Sequence, residues 1–242
     1  MPPNDPRTVA IVLAAGSSIR MNGIDKLLYP LAGTPAINWS LRALDASPSV
    51  HGIVVVLAPD RRAETEAVIN ESPPAKLTAT CDGGESRFHS VLNGLRAAGD
   101  GYEWALVHDG ARPFLSGDVI ERGLKAARSA GAAIAAVQAT DSIKLCDDER
   151  RIVGDPPRTT VWLAQTPQIS RFDTLLRSYE DMQSRFREFT DEASVLHAAG
   201  HETHVFQGSE LNVKLTTPAD LELAGYIADR WGEHPAKAGP GA

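Results

Sequence analysis

Val9-Ala10-Ile11-Val12-Leu13-Ala14-Ala15-Gly16-Ser17-Ser18-Ile19-Arg20-Met21, followed by Lys26, is the stretch from which the fold can be read. Its first half is short, apolar and β-branched, which predicts a strand covered on both faces. Ala14, Ala15 and Gly16 then carry almost no side chain, so the backbone can come close to a ligand, and Gly16 can turn sharply. Arg20 brings a planar fork suited to phosphate oxygens and Lys26 a point charge. Together they describe a loop for holding phosphate; read locally, they are also a strand-to-helix turn with surface cations. Two other phosphate loops are excluded. No Walker-type Gly-x4-Gly-Lys run is present, and the glycines after the strand fall at Gly16 and Gly23, which breaks the dinucleotide fingerprint.

Outward from this strand the chain alternates. Ile53 to Leu57 reads as a second buried strand, Arg61 to Asn70 as a helix and Lys76 to Thr80 as a short strand. Ser86 to Ala98 is a helix, Trp104 to Val107 a strand ending at His108-Asp109, Asp118 to Ala130 a helix, and Ala132 to Val137 a strand. Such alternation predicts an α/β fold: a Rossmann-like, mostly parallel sheet with helices on both faces, whose ligands lie at the strand C-termini. Residues 138–165 break the rhythm and predict a protruding β-arm, packed either on a second subunit or back on its own domain. Helices follow over Phe172 to Arg187 and Glu192 to Ala199, then a strand at His204 to Phe206. A closing helix spans Pro218 to Arg230, with Thr217 as N-cap. Residues 1–231 form one domain in this reading, and 232–242 a disordered tail.

The chain has 242 residues, 43% of them hydrophobic, enough for one α/β domain with a full core. No apolar run approaches the roughly 20 residues of a membrane span, and the N-terminus lacks a signal-peptide core, so a cytoplasmic protein without a membrane partner is expected. A net charge of −7 argues against a general nucleic-acid binder. An anionic substrate would need local cations, and a divalent metal would help. The two cysteines, Cys81 and Cys146, form no disulfide framework or metal-ligand spacing.

Four further segments carry chemistry. In Val107-His108-Asp109-Gly110-Ala111-Arg112-Pro113, Asp109 stands at the end of a central strand. A lone carboxylate there suits Mg²⁺ shared with substrate phosphates, or else a turn or helix cap. Arg112 holds either the loop or a phosphate. Asp82-Gly83-Gly84-Glu85-Ser86-Arg87-Phe88-His89-Ser90 opens a helix with two glycines whose backbone edges can read a base, or simply turns with Ser86 or Glu85 as cap. Thr190-Asp191-Glu192-Ala193-Ser194 reads locally as a helix start with Thr190 as cap. Lys214, in Asn212-Val213-Lys214-Leu215, is locally a solvated lysine.

Taken in order, these segments resemble one family. Leu13 to Gly16 with Arg20-Met21 and Lys26, Asp82 to Arg87, Val107 to Pro113, Asp141 to Lys144, Arg158 to Gln168, Thr190 to Leu196 and Asn212 to Leu221 are similar to the 2-C-methyl-D-erythritol 4-phosphate cytidylyltransferases of the non-mevalonate isoprenoid route. The likeness covers roughly residues 8 to 230. It implies CMP transfer from CTP to methylerythritol phosphate, with Mg²⁺, by a homodimer joined through the arm. Arg20, Lys26 and Lys214 would hold the triphosphate and stabilise charge at the α-phosphate. Ala14, Ala15, Gly16, Gly84, Glu85 and Ser90 would surround the nucleotide, and Asp109 would engage the Mg²⁺–nucleotide assembly. Gly110, Arg112, Asp141, Arg158, Thr166 and Thr190, with Asp109, would serve the acceptor, Arg158 coming from the other subunit.

The chemistry is compatible with that likeness. The attacking phosphate oxygen is already anionic, so positioning and charge neutralisation suffice, and none of the seven histidines is needed as a base. The chain departs from the family pattern at Ser18, where many members have a second glycine, and at Asp25, usually proline. An acid beside Lys26 is expected to weaken the local positive potential. The neighbouring readings are a ribitol 5-phosphate cytidylyltransferase and a non-catalytic nucleotide-binding protein of the same fold. Molybdopterin cytidylyl transfer shares the opening loop but matches poorly in the arm and C-terminal motifs.

Overall fold

The structure, a computed structural model, describes residues 6–16 and 24–231. The readings made on Ser18, Arg20 and the 232–242 tail lie outside the described residues. β1 (Thr8–Ala14) is buried along its whole length. A small ribbon of β2 (Pro30–Leu31) and β3 (Thr34–Pro35) leads into α1 (Ala36–Ala46). The alternation pattern does not mark α1, although Ile37, Leu41 and Leu44 give it a buried stripe. Next come β4 (Gly52–Leu57), a 3-10 turn at Pro59–Arg61, α2 (Arg62–Asn70), β5 (Leu77–Asp82), α3 (Arg87–Ala98), β6 (Trp104–Asp109), α4 (Gly117–Ala130) and β7 (Ala132–Gln138). The remaining elements are β8 (Leu145–Cys146), β9 (Ile152–Gly154), β10 (Trp162–Arg171), α5 (Phe172–Asp181), α6 (Glu192–Ala198), β11 (His204–Gln207) and α7 (Pro218–Arg230).

Seven strands form one sheet in the order β11-β7-β10-β6-β1-β4-β5. β1 pairs in parallel with β4 and β6, and β11 with β7; β10 runs antiparallel between β6 and β7. Alternate residues of β1 feed the two faces. Ala10, Val12 and Ala14 pack toward α1, α4 and α7, while Val9, Ile11 and Leu13 pack toward α3, α5 and α6. The chain leaves β1 for β4 and β5 on one side, then crosses by α3 to β6 on the other. The C-terminal ends of β1 and β6, where Leu13 lies opposite Asp109, therefore flank the crevice that such a switch opens. Among the described residues no helix is long and apolar enough to cross a membrane.

β10 corrects the reading of the arm. Residues 162–165, assigned to the excursion, belong to the main sheet. The buried half of this strand is Gln165-Thr166-Pro167-Gln168-Ile169-Ser170, mostly polar and interrupted by proline, while its apolar residues Trp162, Leu163 and Ala164 are exposed, the reverse of the pattern that marks a buried strand. Pro167 is tolerated because the pairing with β7 shifts register between Ala164 and Gln168. The buried amides find distant partners instead: Gln165 bonds Ser209, and Gln168 bonds both Asp191 and the Ala193 amide. The outer part of the arm is extended as expected, a β8–β9 ribbon with Leu145, Ile152 and Val153 exposed. The helix expected to reach Arg187 ends at Asp181 and continues as a 3-10 segment, Gln183–Glu188.

α3 lies so close to the sheet that a Cβ on Gly94 would overlap Ile11 Cγ2 and stand 2.8 Å from Val56 Cγ2. Gly94→Ala gains about 1 kcal/mol of helix propensity but overpacks two β-branched side chains at a cost of about 1–3 kcal/mol. A net loss of about 1 kcal/mol, read as a lower urea midpoint at unchanged slope, is the expected result.

Candidate active site

An open cavity of about 360 Å³ occupies the crevice at the ends of β1 and β6. One wall is Leu13, Ala15, Gly16, Lys26 and Leu27; the segment opening α3 supplies Gly84, Glu85, Ser86, Arg87 and Ser90; Asp109, Ala111 and Lys214 complete it. Ahead of α3 the chain has no room for side chains at Gly83 and Gly84. A Cβ on Gly83 would overlap that of Ala15, and one on Gly84 would overlap that of His89. Ser86 caps α3 by accepting from the His89 amide at 3.3 Å. Ser90 Oγ accepts from the Gly84 amide at 3.2 Å and donates to the Ser86 carbonyl at 3.0 Å. Peptide groups are thereby held in place along one edge of the cavity.

Asp109 is the electrostatic centre. Its Oδ2 lies 2.7 Å from Lys214 Nζ and 4.0 Å from Arg112 Nε, and its Oδ1 lies 3.3 Å from Arg87 Nη2. Burial alone would raise this carboxyl; Arg87 and Lys214, with Arg112, outweigh it and hold the group ionised well below the usual carboxylate range. Lys214 is aimed by the segment before α7. The Leu215 amide donates to the Ala111 carbonyl at 2.8 Å, and the fully buried Asn212 donates to the Thr166 carbonyl at 2.7 Å. Arg112 Nη1 donates to the Asn212 carbonyl at 2.7 Å, so this guanidinium holds the loop.

Arg87 is fixed from behind. Nη1 and Nη2 reach the two oxygens of Glu192 at 2.8 and 3.1 Å, and the Tyr179 hydroxyl donates to the same carboxylate at 3.0 Å. Burial works against a charged Arg87, but Glu192 and Asp109 prevail and keep it protonated. Burial, reinforced by Glu192, keeps Tyr179 protonated too. None of these three side chains is among the site residues expected from the sequence, where Glu192 serves only in the first turn of a helix. A signal was present: Glu192 shares a helical face with Val195 and Leu196, all three buried, so a carboxylate on an apolar stripe required a partner.

His108 is fully buried. Nε2 faces the Arg112 carbonyl at 3.1 Å, and a carbonyl can only accept, so Nε2 carries the proton. The Thr166 hydroxyl then donates to Nδ1 at 3.0 Å and accepts from the Asp109 amide at 3.0 Å. A neutral imidazole thus orders the β6 terminus. Burial pushes its pKa from 6.5 down to about 4, so in falling pH the unfolded chain takes up the proton first. The resulting stability is intact above about pH 6.5 and is lost toward about pH 4, on the order of 3 kcal/mol. Denaturation curves between those limits should show the loss, and His108→Gln should flatten it. A variant with the same pH slope would assign the effect to other groups.

Of the residues chosen from sequence, Ala15, Gly16, Lys26, Gly84, Glu85, Ser90, Asp109 and Lys214 line the cavity. Ala14 is buried at the end of β1, Gly110 donates its amide to the Leu13 carbonyl at 2.9 Å, and Thr166 lies behind Asp109. Asp141 and Arg158 are exposed at the arm, where Arg158 donates to the Thr140 carbonyl, and neither lines the cavity of its own chain. Thr190 is also exposed and is not the cap of α6; Asp191 is, accepting from the Ser194 amide at 3.0 Å. Asp25, the acid expected to weaken the potential beside Lys26, is bonded by Arg61 at 2.6 Å.

A doubly wound sheet with a pocket and a caged carboxylate at its switch point places this chain among the α/β proteins that take a ligand at the carboxyl ends of their strands. Within that class the chain belongs to the IspD family: the family model for 2-C-methyl-D-erythritol 4-phosphate cytidylyltransferase matches residues 8–230. It is similar to the curated enzyme of that name from Synechococcus elongatus, 37% identical over 90% of this chain and 94% of the relative. The relative from Geobacillus thermodenitrificans is 39% identical over 90% and 95%. The crystal structure of the Francisella tularensis enzyme superposes with a TM-score of 0.76 at 30% identity, covering 90% of this chain and 99% of that one.

Proposed function

We propose that this protein transfers CMP from CTP to 2-C-methyl-D-erythritol 4-phosphate, releasing pyrophosphate. The acceptor's phosphate oxygen forms a bond to the α-phosphorus of CTP as the bond to the pyrophosphate oxygen breaks. The observation that carries this reading is Asp109, caged by Lys214 and Arg87 on a cavity that Lys26 also lines, in a chain of this family. The peptide edges at Ala15 and Gly84, with Ser90, read the cytosine. Lys26 and Lys214, with Arg20, hold the phosphates. An ammonium has three donors, so Lys214 bound to Asp109 keeps others for phosphate oxygens as charge develops. Gly110, Arg112, Thr166 and Thr190 support the acceptor side.

Among the described residues no group of three or more His, Cys, Asp or Glu side chains is placed to hold a metal. One ionised carboxylate on the cavity nonetheless fits Mg²⁺, which takes one or two carboxylates plus substrate phosphates. Asp109 would hold Mg²⁺ together with the triphosphate, where the ion would supply neutralisation of phosphate charge. The exposed apolar residues Leu145, Ile152 and Val153 support a dimer joined through the arm, with Asp141 and Arg158 serving the neighbouring cavity, and the reaction is assigned to the cytoplasm.

Pyrophosphate release with Mg²⁺, CTP and methylerythritol 4-phosphate tests the function, with ribitol 5-phosphate in parallel. Release with the first acceptor is expected, and release with ribitol phosphate alone would overturn the acceptor. Light scattering is expected to give the mass of a dimer, and a fully active monomer would refute the shared site.

A further inference from the structure

Asp25 immediately precedes Lys26, where a bare carboxylate would compete with phosphate for the ammonium. The chain turns it elsewhere. Oδ2 accepts from Arg61 Nη1 at 2.6 Å, and Oδ1 accepts from the Leu27 amide at 2.9 Å. The pair is largely shielded, with 23% of the arginine and 19% of the aspartate side chain exposed. Arg61 Nη2 also donates to the Gly16 carbonyl at 3.1 Å. Arg61 itself ends the 3-10 turn after β4, and its carbonyl accepts from the buried Thr65 at 3.1 Å. The Leu27 carbonyl accepts from the Ile37 amide at 2.9 Å. One guanidinium anchored at the end of β4 thus holds Gly16 directly and, through the Asp25 carboxylate, the peptide that follows Lys26. Gly16 and Lys26 line the cavity, whereas Asp25 and Arg61 do not.

We propose that Asp25 and Arg61 form a positioning pair for the nucleotide phosphates: Arg61 cancels the Asp25 charge and holds Gly16 and Lys26 in register. The proposal rests on the reading that this cavity takes CTP. It makes an acid beside Lys26 compatible with phosphate binding only while its arginine is present, so the two residues must act together.

The test compares wild type with Arg61→Ala, Asp25→Asn and the double variant. Arg61→Ala leaves one uncompensated charge next to Lys26 near the surface and is expected to raise KM for CTP about tenfold, with a smaller change in kcat. Removing that charge in Arg61→Ala/Asp25→Asn is expected to recover most of the loss, a suppression that a purely structural role would not show. A second readout needs no nucleotide. The rate at which an amine-acylating ester modifies Lys26, followed by peptide mass spectrometry, should fall about threefold in Arg61→Ala and return in the double variant, because a neighbouring carboxylate favours the protonated amine. Arg61→Gln, which keeps a donor for Gly16, provides the same test should the alanine variant fail to fold. A double variant as impaired as Arg61→Ala in both readouts, or single variants indistinguishable from wild type, would overturn the pair. A wild-type protein that did not bind CTP would instead fail the functional reading, while the acylation rates would still decide whether Arg61 cancels Asp25.

Discussion

Glu192→Ala is expected to destabilise the fold by about 3–5 kcal/mol, the cost of breaking a buried pair from one side. The Glu192 side chain is 2% exposed and receives both terminal nitrogens of Arg87 as well as the Tyr179 hydroxyl. Its removal leaves a buried phenol without a partner and an arginine with Asp109 as its remaining carboxylate. Arg87 is 29% exposed and regains some water, which places the loss toward the lower end of that range. Glu192→Gln keeps the shape and an acceptor oxygen, so its loss should be smaller by at least half. Urea denaturation near pH 7.5 measures both. A loss below about 1 kcal/mol in the alanine variant would mean that the pair contributes little to the folded state.

Lys214→Ala is expected to lower kcat by about 10²–10³-fold, the scale on which one preorganised donor to a developing charge is felt. Folding stability should change by less than about 1 kcal/mol, because the lysine side chain is 40% exposed and Asp109 keeps Arg87 and Arg112 nearby. Lys214→Arg restores the charge with a planar fork in place of a point charge and should recover only part of the rate. Initial rates at saturating CTP and acceptor, with circular dichroism to confirm folding, separate the two effects. Turnover within tenfold of wild type in the alanine variant would remove Lys214 from the reacting centre.

These two predictions differ in how far the sequence reaches them. Lys214 is found through its place in an ordered set of motifs, although locally it is an ordinary lysine. Glu192 is visible as a carboxylate on an apolar helical face, but its partner Arg87 is 105 residues away. No spacing rule links the two, because the contact is made by α3 and α6 packing on the same face of the sheet. Asp25 shows the same limit. Its charge beside Lys26 is plain in the chain, yet whether that charge is exposed or cancelled depends on Arg61 arriving from the end of β4.

The sequence by itself determined what period and local chemistry determine. Short β-branched runs at Val9 to Leu13 and Ile53 to Leu57 can be satisfied only inside a sheet covered on both faces, and the alternation with helices makes that sheet mostly parallel. Parallel strands in turn carry Gly16 and Asp109 to one edge. Only the tertiary structure decided the rest. β10 is a central strand whose buried half is mostly polar, held by partners on β6, on α6 and its N-cap, and on the segment after β11. The ionic state of Asp109, Arg87 and His108 is set by what surrounds them, and in a folded chain those neighbours are chosen by packing rather than by order along the sequence.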